Sequence, residues 1–245
     1  MYVKKIKKEC LYMTYDREKL LKMLSNAPLN EESEFCEDMN EDLFYSIDSD
    51  FRKSFHYFHG ATKLALVPID NTYDYVIKIP YTGSSNRYDY YYNRYYHTYH
   101  KIDGQYQEFY GSESNERPWD YCATEVLRYQ IAREEGFAKY FAKTELLGYV
   151  NNFPIYIQEK GITLDSGIQT HIHTKEEKMK TISCCNYFRI NGNWLTDFRL
   201  LYGEKELINF INFIKTMQWD DDLRSDNIGY VNQSPVLIDY SGFSE

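Results

Sequence analysis

The sequence predicts an α+β fold, with short antiparallel strands and amphipathic helices in separate runs of the chain. Two strand patterns and two helix patterns carry this reading. Residues 54–59, 63–69 and 73–79 read as three short strands, broken by His59-Gly60-Ala61-Thr62 and Asp70-Asn71-Thr72 and closed by Pro80. Residues 142–150 and 153–158 read as two more, joined by an Asn151-Asn152 turn. Residues 119–135 and 204–218 carry apolar side chains at the three-to-four spacing of a helix face.

Taken in order, residues 16–23 (DREKLLKM) read as a helix with Asp16 as its N-cap. Residues 30–50 are rich in Asp and Glu and read as a solvated loop or helix face without chemistry. Residues 1–50 are expected to form an extension packed on a core that begins at residue 51. Within it, residues 82–118 are polar, with seven tyrosines between Tyr88 and Tyr99, and read as an insertion with at most local helix. Pro118 or Trp119 opens the next helix. Its apolar positions are Ala123, Val126, Leu127 and Ile131, and Gly136 stops it. Residues 163–195 give no clear pattern. In the helix over 204–218, Leu207, Ile208, Ile211 and Ile214 are expected to face the core, with Phe210 as a further candidate. A closing hairpin pairs Tyr230-Val231 with Val236-Leu237-Ile238 across Asn232-Gln233-Ser234-Pro235.

Composition narrows the function classes. Across 245 residues, 28 Lys+Arg against 37 Asp+Glu give a net charge of −9, which disfavours a nucleic-acid partner. No apolar run reaches membrane-span length, and the basic start is not followed by an apolar stretch, so neither a membrane span nor a signal peptide is expected. The five cysteines are odd in number and show no CxxC spacing, as expected of reduced thiols in a cytoplasmic protein. Cys184-Cys185 reads as structural and His171-Ile172-His173 as surface, since no third ligand accompanies the histidines. The 26 tyrosines and 14 phenylalanines, against 12 glycines and 6 prolines, argue for a folded chain.

The chemistry is concentrated near the end. Asp222-Leu223-Arg224-Ser225-Asp226-Asn227 follows an amphipathic helix, and Asp239-Tyr240-Ser241-Gly242 lies twelve residues further on. Two acids and an amide flanking a short hairpin can converge, and such oxygen ligands suit Mg²⁺, which also keeps water and phosphate in its shell. Asp239 follows the apolar run Val236-Leu237-Ile238, where an acid needs a partner or a metal.

These residues resemble the protein-kinase superfamily. The family's catalytic loop reads His-Arg-Asp-Leu-x-x-x-Asn and its metal loop Asp-Phe-Gly. Asp222 to Asn227 reproduces the Asp-Leu-x-x-x-Asn part, and Asp239-Tyr240-Ser241-Gly242 resembles the metal loop. Tyr75-Val76-Ile77-Lys78 is similar to the family's Val-Ala-Ile-Lys. The glutamate that pairs with that lysine matches Glu125, in preference to Glu134 and Glu135 near the helix C-terminus, where acids are disfavoured. Gln158-Glu159-Lys160-Gly161 stands where the family has its hinge.

The resemblance implies a two-lobed kinase-like fold, with residues 51–160 as a first lobe built on an antiparallel sheet and residues 161–245 as a strongly reduced second lobe. It implies ATP and Mg²⁺ as cofactors, with phosphoryl transfer to a hydroxyl, on a protein or alternatively on a small molecule. Lys78 would contact the α/β-phosphates and Glu125 would hold Lys78. Asn227 and Asp239 would bind Mg²⁺, and Asp222 would take or orient the hydroxyl proton. Backbone groups at Gln158, Glu159 and Lys160 would bind adenine, and Gly60 would let the backbone approach phosphate.

The chain also departs from the family. Asp220-Asp221 replaces His-Arg, one glycine stands where the family has three, and the span from Lys78 to Glu125 is long. Only three residues follow Gly242, so no activation segment is expected, as in small bacterial effector kinases and phage kinase-like proteins. A kinase-like binding module that sequesters a protein partner without turnover is the competing expectation.

Overall fold

The computed structural model of the chain describes residues 13, 15–29, 35–60, 62–69, 73–81, 95–102, 105–112, 120–163, 190, 192–217, 219 and 222–241, with 95–102 and 105–112 described by backbone alone. The architecture is α+β. The chain opens with helix α1 (Arg17–Met23), where the Asp16 side chain accepts from the Lys19 amide as the expected N-cap. A 3-10 turn, Glu37–Met39, leads into α2 (Asn40–Ser46), and α3 (Ser49–Arg52) follows. Strands β1 (Phe55–His59), β2 (Lys63–Pro68) and β3 (Tyr75–Pro80) form an antiparallel meander. Strands β4 (Tyr95–Ile102) and β5 (Gln105–Ser112) form a separate hairpin. Helix α4 (Tyr121–Glu134) precedes β6 (Thr144–Val150), β7 (Phe153–Glu159) and the short β8 (Ile162–Thr163). Helices α5 (Gly192–Tyr202) and α6 (Glu204–Thr216) lead to β9 (Ile228–Val231) and β10 (Ser234–Leu237).

The main sheet runs β1-β2-β3-β7-β6, antiparallel throughout. Successive side chains on a strand point to opposite faces, so the alternation of residue types decides what each face does. Leu64, Leu66, Ile77, Ile79, Ile155 and Ile157 are fully buried in one apolar cluster. The cluster is completed by Leu20, Leu24, Leu29, Phe35, Leu43, Ile47 and Phe51 from the N-terminal region, which covers that face of the sheet. Of the two readings of the acid-rich stretch 30–50 the helix face holds: Glu41 and Asp42 lie exposed on α2, while the interspersed apolar residues of the described part anchor it. The in-between positions, Lys63, Lys78 and Gln158, give the opposite face its polar character.

A second apolar cluster is assembled from both sides of β6 and β7 in the chain. Ile131, Ala132, Tyr140 and Phe141 join Trp194, Phe198, Phe210, Ile214, Trp219, Leu237 and Tyr240. By packing, then, residues 131–141 belong with the C-terminal cluster rather than with the segment 51–160. A three-stranded sheet, β10-β9-β8, borders it, and Phe141 forms a parallel bridge with Leu237.

Two expectations are corrected, and one unassigned region is resolved. The segment 82–118 was expected to hold at most local helix, whereas its described part is the β4–β5 hairpin. The missed signal is the run of Tyr and Thr, which favour strands, around Asp103-Gly104, a favoured hairpin dipeptide. In the closing hairpin the turn is two residues, not four. Val231 pairs with Ser234, and Asn232 and Gln233 hold φ of 49° and 63°. Positive φ at both turn positions matches the right-handed strand twist, and Asn151-Asn152 turns in the same way. In the ambiguous region, α5 buries Trp194, Leu195 and Phe198 at helical spacing. Asp220, Asp221, Gly242, the tyrosines from 88 to 94, His171, His173, Cys184 and Cys185 lie outside the described residues.

Candidate functional site

The site is built where the polar face of the sheet meets α4. The apolar spacing in α4 predicts a core face of Ala123, Val126, Leu127 and Ile131, and the structure buries a different one. Cys122, Thr124, Glu125, Arg128, Ile131 and Ala132 are buried, while Ala123 is exposed and Val126 and Leu127 are half-buried. The reason is electrostatic. Glu125 and Arg128 lie one turn apart on one helix face and meet opposite charges from distant segments, so their burial is compensated. Asp120 caps the helix, accepting from the Ala123 amide at 2.9 Å and from the Tyr156 hydroxyl.

Glu125 is fully buried and accepts from two lysines. Lys78 Nζ lies 2.9 Å from Oε1 and 2.7 Å from Oε2. Lys63 Nζ lies 2.7 Å from Oε1 and donates also to Asp239 Oδ1 at 3.0 Å. Lys78 and Glu125 therefore pair as expected, and Asp239 is drawn into the same cluster. Lys63 was not anticipated. It stands three residues after Gly60, and β2–β3 pairing sets Ala65 opposite Lys78, so both lysines rise from one face of the sheet. A lysine two residues before Ala65 on an alternating strand was the signal available.

A second pair adjoins it. Asp222 is 2% exposed and ion-paired with Arg128, whose Nη1 also donates to the Tyr240 carbonyl at 3.2 Å. The Arg128 guanidinium lies 4.9 Å from the centre of the Trp219 ring, a cation–π contact. Arg128 was likewise not anticipated, because its partner is 94 positions away in the sequence. Asn227 Nδ2 donates to the Asp222 carbonyl at 3.1 Å, and the Asn227 carbonyl accepts from the amides of Ile238 and Asp239. This backbone lock holds the two loops side by side.

The charges set the titration of the site. Burial alone would lower the Lys63 ammonium, but the carboxylates of Asp239 and Glu125 outweigh it and hold Lys63 above the ordinary lysine value. Its half-buried position would raise Asp239, but the Lys63 and Lys78 ammonium groups outweigh that and hold the carboxyl well below the usual range. Burial pushes the Cys122 thiol well up, reinforced by Asp120 and Glu125, so it is a neutral packing group. Asp239 is the accessible edge of the cluster: its side chain is 37% exposed, against 7% or less for Lys63, Lys78 and Glu125.

The Gln158 side chain is buried and binds protein, donating to Thr144 Oγ1 at 2.7 Å and to the Ile238 carbonyl at 2.8 Å. It staples β7 to the strand that delivers Asp239. The Glu159 amide donates to the Lys143 carbonyl and the Lys160 amide to the Asp74 carbonyl. The Glu159 carboxylate accepts from the Lys143 amide, and Lys160 Nζ donates to the Pro68 carbonyl. The donors expected to meet adenine at Glu159 and Lys160 are therefore engaged within the protein. Gly60 donates its amide to the Lys63 carbonyl, and a Cβ added there would meet nothing within 4 Å.

Asp239 offers a carboxylate and the neighbouring Asn227 an amide, an oxygen donor set that suits a hard cation sharing its shell with water and phosphate. No group of three His, Cys, Asp or Glu among the described residues could hold a metal alone. No helix among the described residues is long and apolar enough to cross a membrane. No protein-family model matches the chain, and no curated protein matches it.

Proposed function

We propose that the chain is an ATP- and Mg²⁺-dependent phosphotransferase acting on a hydroxyl, most simply that of a protein, on a reduced two-lobed kinase-like fold. The observation that carries this reading is the meeting of three distant segments at one point: Lys78 on Glu125, and Asp239 joined to Glu125 through Lys63. Phosphoryl transfer asks a protein mainly for positioned charge, which such a cluster supplies. A cluster held together for stability alone would do as well with apolar residues of the same size, so its buried charges point to a ligand.

In this reading Lys78 contacts the nucleotide phosphates and Glu125 fixes its ammonium. Asp239 and Asn227 hold Mg²⁺, which would neutralise phosphate charge. Asp222 orients the acceptor hydroxyl once Arg128 yields one of its oxygens. Adenine is left to groups other than the Glu159 and Lys160 amides.

The competing reading, a kinase-like module that binds a protein without turnover, is favoured by one observation: Asp222 is buried and held by Arg128. Incubation with Mg²⁺ and γ-labelled ATP, alone and with a protein mixture, beside Asp222→Ala separates the two. Label transfer that disappears in the variant supports the enzyme. Thermal stabilisation by ATP without transfer supports the module. No response to nucleotide in either readout removes both.

A further inference from the structure

Lys63 makes the contact on Asp239 that a bound cation would make. Its ammonium bridges Glu125 Oε1 at 2.7 Å and Asp239 Oδ1 at 3.0 Å, and the Ser241 hydroxyl lies 3.2 Å from the same Asp239 oxygen. The Lys63 side chain is 7% exposed, so its charge is satisfied inside the protein rather than by water. Lys78, by contrast, gives both of its close contacts among the described residues to Glu125. The two lysines thus divide the work: Lys78 is fixed to α4, and Lys63 is shared between α4 and the loop after β10.

We propose that Lys63 is a built-in counter-cation that occupies Asp239 in the ligand-free chain, and that a divalent cation binds by displacing it. The inference rests on the reading of Asp239 as a cation ligand. On displacement Lys63 keeps its bond to Glu125, so its ammonium stays beside that of Lys78. The pair then offers two positive charges to an anionic ligand such as a triphosphate. This supplies from a side chain what a loop with the single glycine Gly60 supplies poorly from its backbone. The device also keeps Asp239 compensated when no cation is present, where a lone carboxylate behind an apolar strand would be costly.

The test is Mn²⁺ binding without nucleotide, followed by electron paramagnetic resonance, for the wild-type chain, Lys63→Met, Lys63→Gln and Lys78→Met. Circular dichroism checks that each variant is folded. Displacement requires that removing Lys63 tighten Mn²⁺ binding at least tenfold. Lys78→Met, which removes an equal charge that does not touch Asp239, should tighten it no more than threefold. Equal effects of the two lysines would mean general repulsion and overturn the proposal, as would unchanged or weaker binding in both Lys63 variants. Should neither Lys63 variant fold, the wild-type chain decides. Acylation of Lys63, followed by mass spectrometry, should rise at least threefold with saturating Mn²⁺, and an unchanged rate overturns the proposal. Because no nucleotide is present, a chain that binds Mn²⁺ with this lysine pattern but never binds ATP would leave the displacement intact and remove the phosphotransferase.

Discussion

Replacing Glu125 with Gln reaches both lysines of the site at once while nearly preserving shape. Glu125 is fully buried and receives Lys63 at 2.7 Å and Lys78 at 2.7 and 2.9 Å. The amide keeps an acceptor but loses the charge. Lys63 retains Asp239, while Lys78, 4% exposed, loses the one carboxylate it touches among the described residues. Removing one partner of a buried ion pair costs roughly 3–5 kcal/mol, because the other charge stays buried without compensation. In a chain of this length each kcal/mol moves the melting temperature by about 2–4 °C, so the expected loss is roughly 6–20 °C. The assay is urea unfolding followed by Trp fluorescence, paired with a thermal scan. The double variant Glu125→Gln/Lys78→Met should recover about 1–3 kcal/mol relative to the sum of the single variants, since the stranded ammonium is then gone. A single variant costing under about 1 kcal/mol, with no recovery in the double, would refute the electrostatic account of why α4 buries its polar face.

Three further outcomes follow from the same geometry. Asp239 has its folded-state pKa held down, so its contribution to stability is fully present above the unfolded value of about 3.9 and is lost as pH falls below it; Asp239→Asn should flatten the acid limb of an unfolding free-energy profile measured from pH 6 to pH 3. Arg128→Leu should destabilise the chain by roughly 3–5 kcal/mol in urea, because Asp222 is left buried without its cation, and should change the Trp219 emission by removing the cation–π contact. Gln233→Gly should stabilise the chain by about 0.5 kcal/mol in the same assay, since Gln233 sits at φ 63° in a two-residue turn that favours glycine.

How much of this was legible in the sequence depended on whether the deciding interaction was local. The strands holding Lys78 and Gln158 were readable because apolar alternation is a nearest-neighbour pattern, and the Asp16 cap because it acts within three residues. Helix α6 was readable because most of its expected apolar stripe faces the core: Leu207, Phe210, Ile211 and Ile214 are buried, while Ile208 is half-buried and Phe213 is buried in addition. Helix α4 was readable as a helix, but its buried face was not. Glu125 is paired with residues 47 and 62 positions upstream, and Arg128 with one 94 downstream. No window of a few turns contains those partners, so hydrophobic spacing pointed to Ala123 instead. Lys63 was missed for the same reason, since its partner Asp239 is 176 positions away. At Glu159 and Lys160 the sequence was silent for a different reason. It placed the segment correctly at the end of β7, but whether an amide is free depends on what packs beside it.

Calorimetric titration of ATP into the chain, with and without Mg²⁺ and beside Lys78→Met and Asp239→Asn, tests the central claim most directly. The account predicts saturable binding that needs Mg²⁺ and weakens at least tenfold in each variant. Absence of binding to the folded wild-type chain, or binding that neither variant nor chelation of Mg²⁺ alters, would contradict it.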